Sequence, residues 1–127
     1  EVQLLVERTR EALNRGILAV APGRAVNTIG LAIENYAKRF NYGVIRDFTG
    51  HGVGEAFHSG LIIPHYDSAP NYSTVIEVGM VFTVEPGLYA AGLGGFRHSD
   101  TVAVTENGLD FLTYYPRDLE SLTLPDH

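Results

Sequence analysis

Three groups of residues in this 127-residue chain have the types and spacing for chemistry. The first is Gly50-His51-Gly52-Val53-Gly54-Glu55-Ala56-Phe57-His58. Glycines on both sides of His51 let backbone approach closely and leave its imidazole uncrowded, and they argue against a helix. Two imidazoles so placed have the chemistry of a metal ligand and of a group that polarises or protonates a substrate. The same pattern also suits a satisfied hydrogen-bonding loop. His65, between Pro64 and Tyr66, reads as loop structure and is carried as a substrate-binding candidate beside His58 and Arg97. The second group centres on Glu85, which ends the run Met80-Val81-Phe82-Thr83-Val84 just before Pro86-Gly87. A carboxylate brought into a sheet by apolar residues is costly unless paired or bound to a cation, the alternative being a strand-end Glu turned to solvent. The third is Gly94-Gly95-Phe96-Arg97-His98-Ser99-Asp100-Thr101. In a strand, Arg97, Ser99 and Thr101 share one face, and His98 and Asp100 the other. Arg97 there could orient a carboxylate.

The elements that must position these residues are readable from periodicity. Val2, Leu5, Val6, Leu13, Ile17 and Val20 recur at helical spacing, which predicts an amphipathic helix from Val2 to Val20 stopped by Pro22-Gly23. Asn27 is the expected cap of a second helix burying Ile29, Ile33, Tyr36, Ala37 and Phe40, ended by Asn41 to Gly43. After Gly43 the chain becomes rich in Gly, Pro and β-branched residues. Strands are predicted at Met80 to Glu85, Phe96 to Thr105 and Leu109 to Leu112, with Asn107-Gly108 as the hairpin signal. The organisation is one α+β unit over residues 1–127, two helices followed by an antiparallel sheet, with Pro116 to His127 as a polar tail.

Composition excludes several classes. With no Cys, thiol catalysis, thiolate metal sites and disulfide scaffolds are ruled out, and a cytoplasmic location fits. Nine Lys and Arg against fifteen Asp and Glu give a net charge of −6 with no basic run, so nucleic acid is not an expected partner. No uninterrupted apolar stretch reaches membrane-spanning length, so no membrane is expected either. The chain opens in mid-helix style at Glu1 rather than Met, which predicts an excerpt of something longer.

Taken together, these motifs resemble the C-terminal half of the pita-bread metallopeptidase family, which includes methionine aminopeptidases, Xaa-Pro aminopeptidases, Xaa-Pro dipeptidases and creatinase. The resemblance runs from Ala19-Val20-Ala21-Pro22-Gly23 through His51-x-x-Gly54-x-x-x-His58 and Gly79 to Tyr89, to the Arg97 strand and Val104-Thr105-Glu106-Asn107-Gly108. Glu85-Pro86-Gly87-Leu88-Tyr89 and the Val-Thr-Glu-Asn-Gly ending look more like the Xaa-Pro branch. The resemblance implies that His51 and Glu85 are metal ligands, that His58 contacts the scissile carbonyl, and that a divalent metal (Mn, Co or Zn) activates water for peptide hydrolysis. All three residues are then catalytic candidates.

Two departures from the family pattern alter the expectation. The family's two metal-binding aspartates belong to an N-terminal half outside this chain, and Ser99 stands where the family strand Arg-x-Glu-Asp carries a bridging glutamate. The isolated chain is therefore expected to be inactive, to require the missing half of the same protein, and to form a homodimer over the apolar surface that half would cover. Two alternatives stay open: a metal-free hydrolase resembling creatinase, and a non-catalytic module that binds peptides or proteins.

Overall fold

Helix α1 (Val2–Leu18) buries Leu5, Val6, Thr9, Ala12, Leu13, Gly16 and Ile17, a face repeating every three to four residues. Thr9 is buried at no cost in unpaired groups because its hydroxyl donates to the Leu5 carbonyl at 2.7 Å. Val2, expected on the buried stripe, is 54 % exposed. The helix closes at Leu18 with Ala19 still helical, so Pro22-Gly23 follows the end instead of making it. Helix α2 (Asn27–Lys38) buries Ile29, Gly30, Ile33, Tyr36 and Ala37 and packs on α1, where Ile29 and Ile33 lie against Gly16. Val26 occupies the cap position, and Asn27 instead donates its side-chain N–H to the Asn71 carbonyl at 3.0 Å. That partner is distant in sequence, so local pattern does not reveal it.

The structure, a computed structural model, describes residues 1–53 and 61–112. Its strands are β1 (Gly43–Val44), β2 (Gly50–His51), β3 (Ile62–Ile63), β4 (Val81–Val84), β5 (Gly87–Ala90), β6 (Gly94–Arg97), β7 (Asp100–Thr105) and β8 (Gly108–Phe111). They form three antiparallel sheets, β1-β5-β6, β2-β3 and β4-β7-β8, where one sheet was expected. The α+β class is as expected.

Two of these sheets share one ribbon. Pairing runs from Ala90↔Gly94 through Gly87↔Arg97 to Val84↔Asp100 and Val81↔Ala103 without a slip in register. The expected strand from Phe96 to Thr105 is divided at His98-Ser99, opposite Glu85-Pro86. Pro86 has no N–H to give the ladder, and only its carbonyl is used, accepting from the His98 N–H at 3.3 Å. The turn between β7 and β8 is Glu106-Asn107, one residue ahead of the expected Asn107-Gly108. Thr105 pairs with Gly108, whose φ of 144° suits glycine.

The core lies between the helices and the ribbon, where Leu13, Ile29, Ile33, Ile63, Phe82 and Leu88 are fully buried. Phe82→Ala is expected to cost about 3–5 kcal/mol, read as a lowered urea midpoint with the slope unchanged. Among the described residues, no helix is long and apolar enough to cross a membrane. The polar tail from Pro116 to His127 lies outside the described residues.

Candidate active site

Strand β4 alternates cleanly: Phe82 and Val84 face the core, while Thr83 and Glu85 face the other way. On the paired strand the same alternation buries His98 and Asp100 and leaves Arg97 and Ser99 exposed, as the sequence pattern indicates. Continuing the β4–β7 register by one step places Ser99 opposite Glu85. The break at Pro86 therefore gathers Glu85, Ser99 and Arg97 at one bend of the ribbon.

His51 reaches the same face from β2. Gly50 makes this possible, since a Cβ there would run into the Thr83 carbonyl oxygen. The His51 N–H donates to the Thr83 hydroxyl at 3.0 Å, and that hydroxyl donates to Glu85 Oε2 at 2.8 Å. His51 Nδ1 lies 3.1 Å from the Gly52 carbonyl, which can only accept, so in the neutral imidazole this contact selects the Nδ1–H tautomer and turns the Nε2 lone pair outward. Nε2 points at Glu85 Oε2 from 3.9 Å. That is too long for a hydrogen bond but within the span of two metal–ligand bonds of about 2.1 Å each. An imidazole with its other nitrogen held on a carbonyl and a carboxylate oxygen are fitting donors for a divalent cation. The remaining carboxylate oxygen, Oε1, lies 3.6 Å from Arg97 Nη1, and the Arg97 guanidinium stacks on the Phe48 ring at 4.8 Å.

His51, Glu85 and Arg97, all named as candidates from the sequence, lie together on this face. His58 and Glu55 lie outside the described residues. Among the described residues no three His, Cys, Asp or Glu side chains gather as a metal cluster. The residues present fit two ligands of one cation. They do not fit a bridge between two cations, because the position opposite Glu85 is the neutral Ser99.

His65 is placed differently from the expectation. It is fully buried, its Nδ1–H donates to the Phe48 carbonyl at 3.1 Å, and its Nε2 accepts the Glu85 N–H at 3.0 Å. Both ring nitrogens serve backbone groups, so none is left to bind substrate. Burial, the largest cause, lowers its pKa to about 4; the Phe48 hydrogen bond opposes this with a smaller raising effect, and the Arg97 charge adds the smallest contribution, also lowering. With the folded value below the ordinary 6.5, the stability His65 contributes is complete above pH 6.5 and is lost as pH falls through 4. The loss is about 3 kcal/mol. Urea midpoints measured from pH 7 to pH 4 are expected to fall across this window, and His65→Gln is expected to flatten that part of the profile.

Two participants escape sequence reading. Thr83 is signalled only by sharing a strand face with Glu85, and Phe48 has no signature at all because its role depends on where a loop lies.

The comparisons with known proteins agree with this geometry. The model of metallopeptidase family M24 matches residues 1–106. Methionine aminopeptidase 2 of Mycobacterium tuberculosis is 44% identical over 132 residues, covering 89% of this chain and 45% of that protein. Methionine aminopeptidase A of Synechocystis is 39% identical, covering 86% of this chain and 49% of its own length. The chain spans about half the length of the curated relatives it matches. Among solved structures, methionine aminopeptidase from Rickettsia prowazekii superposes with a TM-score of 0.79 at 31% identity, covering 89% of this chain and 52% of that one. Prolidase from Pyrococcus furiosus does so with a TM-score of 0.72 at 37% identity, over 89% and 32% of the two chains. Structural likeness extends to both branches, whereas these two sequence relatives are methionine aminopeptidases and not members of the Xaa-Pro branch that the motifs resemble. With the family model spanning most of its length and the His51–Glu85 pair in place, the chain belongs to metallopeptidase family M24.

Proposed function

We propose that this chain is the half of a metallo-exopeptidase that supplies His51 and Glu85 to a divalent cation, with His58 beside the scissile carbonyl. The observation that carries the reading is the 3.9 Å approach of His51 Nε2 to Glu85 Oε2 on a face shared with Arg97. A cation bound there would polarise the peptide carbonyl and acidify water. The chain's own residues hold the pair in place: Thr83 links His51 to Glu85, and Gly52 fixes the imidazole tautomer.

Arg97, 46% exposed at its side chain, supports an Xaa-Pro dipeptide as substrate, because its guanidinium can hold the dipeptide's terminal carboxylate. A methionine aminopeptidase specificity is the second reading, supported by the sequence relatives. Two ligands do not complete a catalytic centre, so the remainder comes from the other half of the protein, and this chain alone is inactive. Incubation with Mn²⁺ or Co²⁺ and either Xaa-Pro dipeptides or Met-initiated peptides is expected to release nothing. Complementation with the aspartate-bearing half is expected to restore cleavage of Xaa-Pro dipeptides. Preference for Met-initiated peptides would select the second reading, and turnover by the isolated chain would overturn the half-site assignment.

The exposed apolar residues Leu18, Val2 and Leu112 support self-association of the chain through a homodimer. A monomer in sedimentation at high concentration would contradict that.

A further inference from the structure

Resting on the reading of Glu85 as a cation ligand, the geometry points to His65 as the positioning residue that sets Glu85 in the site. The Pro86 carbonyl faces the break between β6 and β7, where it accepts from His98, so strand alternation turns the Glu85 N–H to the opposite side. No strand carbonyl receives that N–H; the imidazole of His65 does, at 3.0 Å. The other side of the ring is anchored on the Phe48 carbonyl at 3.1 Å. The two bonds fix both tautomer and ring plane, since one partner only accepts and the other only donates.

The bracket has a rigid footing. The segment carrying His65 lies directly on α2, where a Cβ at Gly30 would meet the Pro64 and Tyr66 carbonyl oxygens, and Glu34 Oε1 accepts the Asp67 N–H at 2.7 Å. It also connects to the mouth of the site. Phe48, whose carbonyl anchors His65, places its ring under Arg97, and Arg97 faces the Glu85 carboxylate. Glu85 is held at its backbone end through His65 and at its carboxylate end through Arg97, and both holds return to Phe48. Groups that orient a metal ligand typically change metal affinity by about 10–100-fold when removed.

The test is made on the ¹⁵N-labelled full chain by NMR. A scalar coupling through the hydrogen bond between the Glu85 amide nitrogen and His65 Nε2 is expected, with the ring as the Nδ1–H tautomer. His65→Asn keeps a donor for Phe48 but no acceptor within reach of Glu85. His65→Gln carries an acceptor at the distance of Nε2. Hydrogen exchange at the Glu85 amide is expected to accelerate about tenfold in His65→Asn and to recover in His65→Gln, with the Ile33 and Leu88 amides unchanged in both. Absence of the coupling, or equal acceleration at Ile33 and Leu88, would overturn the positioning role. Should the variants not fold, the coupling in the unsubstituted chain decides. Mn²⁺ separates the two readings: if it leaves Glu85 unperturbed while coupling and exchange behave as expected, the ligand assignment falls and the positioning role stands.

Discussion

Gly50→Ala is expected to lower stability by about 3 kcal/mol and to weaken Mn²⁺ binding by about a hundredfold. The added Cβ would occupy the space of the Thr83 carbonyl oxygen and crowd Ile63 Cβ at 3.1 Å, and neither is the movable end of a long side chain. Overpacking against backbone is relieved only by displacing a strand, which costs about 1–3 kcal/mol and at times more. The displaced strand is β2, which carries His51. Its movement breaks the hydrogen bond to Thr83 and opens the 3.9 Å approach to Glu85. Gly16→Ala offers a contrast, because the atoms its Cβ meets, Ile33 Cδ1 and Cγ1 and Ile29 Cγ2, all belong to side chains of α2 and none to the backbone. Urea unfolding and Mn²⁺ titration of the two variants are expected to separate clearly, with only Gly50→Ala losing the cation. Equal effects would show that β2 is not held by close backbone approach.

Ser99→Glu is expected to act in the opposite direction on the cation and in the same direction on the metal-free fold. The register places the new carboxylate opposite Glu85, and like charges directly across a strand pair destabilise, here by up to about 1 kcal/mol. A divalent cation reverses the sign, because a third anionic or lone-pair donor joins His51 and Glu85. Mn²⁺ affinity is expected to rise at least about tenfold, and the thermal midpoint to rise with added Mn²⁺ more steeply than in the parent chain. A variant that lost stability and gained no affinity would place residue 99 away from the cation.

Much of the fold was legible because periodicity reports burial directly. The two helices, the alternation along Val81 to Glu85 and the opposed faces of His98 and Ser99 follow from spacing alone. What stayed hidden depended on partners distant in sequence. Asn27 lies within α2 because Asn71 takes its side chain, and the break between β6 and β7 is set by Pro86 on the facing strand. At the site, His51, Glu85 and Arg97 were readable because residue type and glycine context mark them. Thr83 is a common strand residue whose hydroxyl acquires meaning only when β2 lies beside it. His65 carried the right chemistry for a substrate contact, but burial turned its two nitrogens to backbone groups.

The most direct test is paramagnetic broadening of the amide spectrum by Mn²⁺ in the full chain. Broadening centred on His51, Thr83, Glu85 and Ser99, and abolished by Glu85→Gln, is the expected result. Broadening centred on other carboxylates, such as Asp67 or Asp110, or unaffected by Glu85→Gln, would contradict a cation site built on His51 and Glu85.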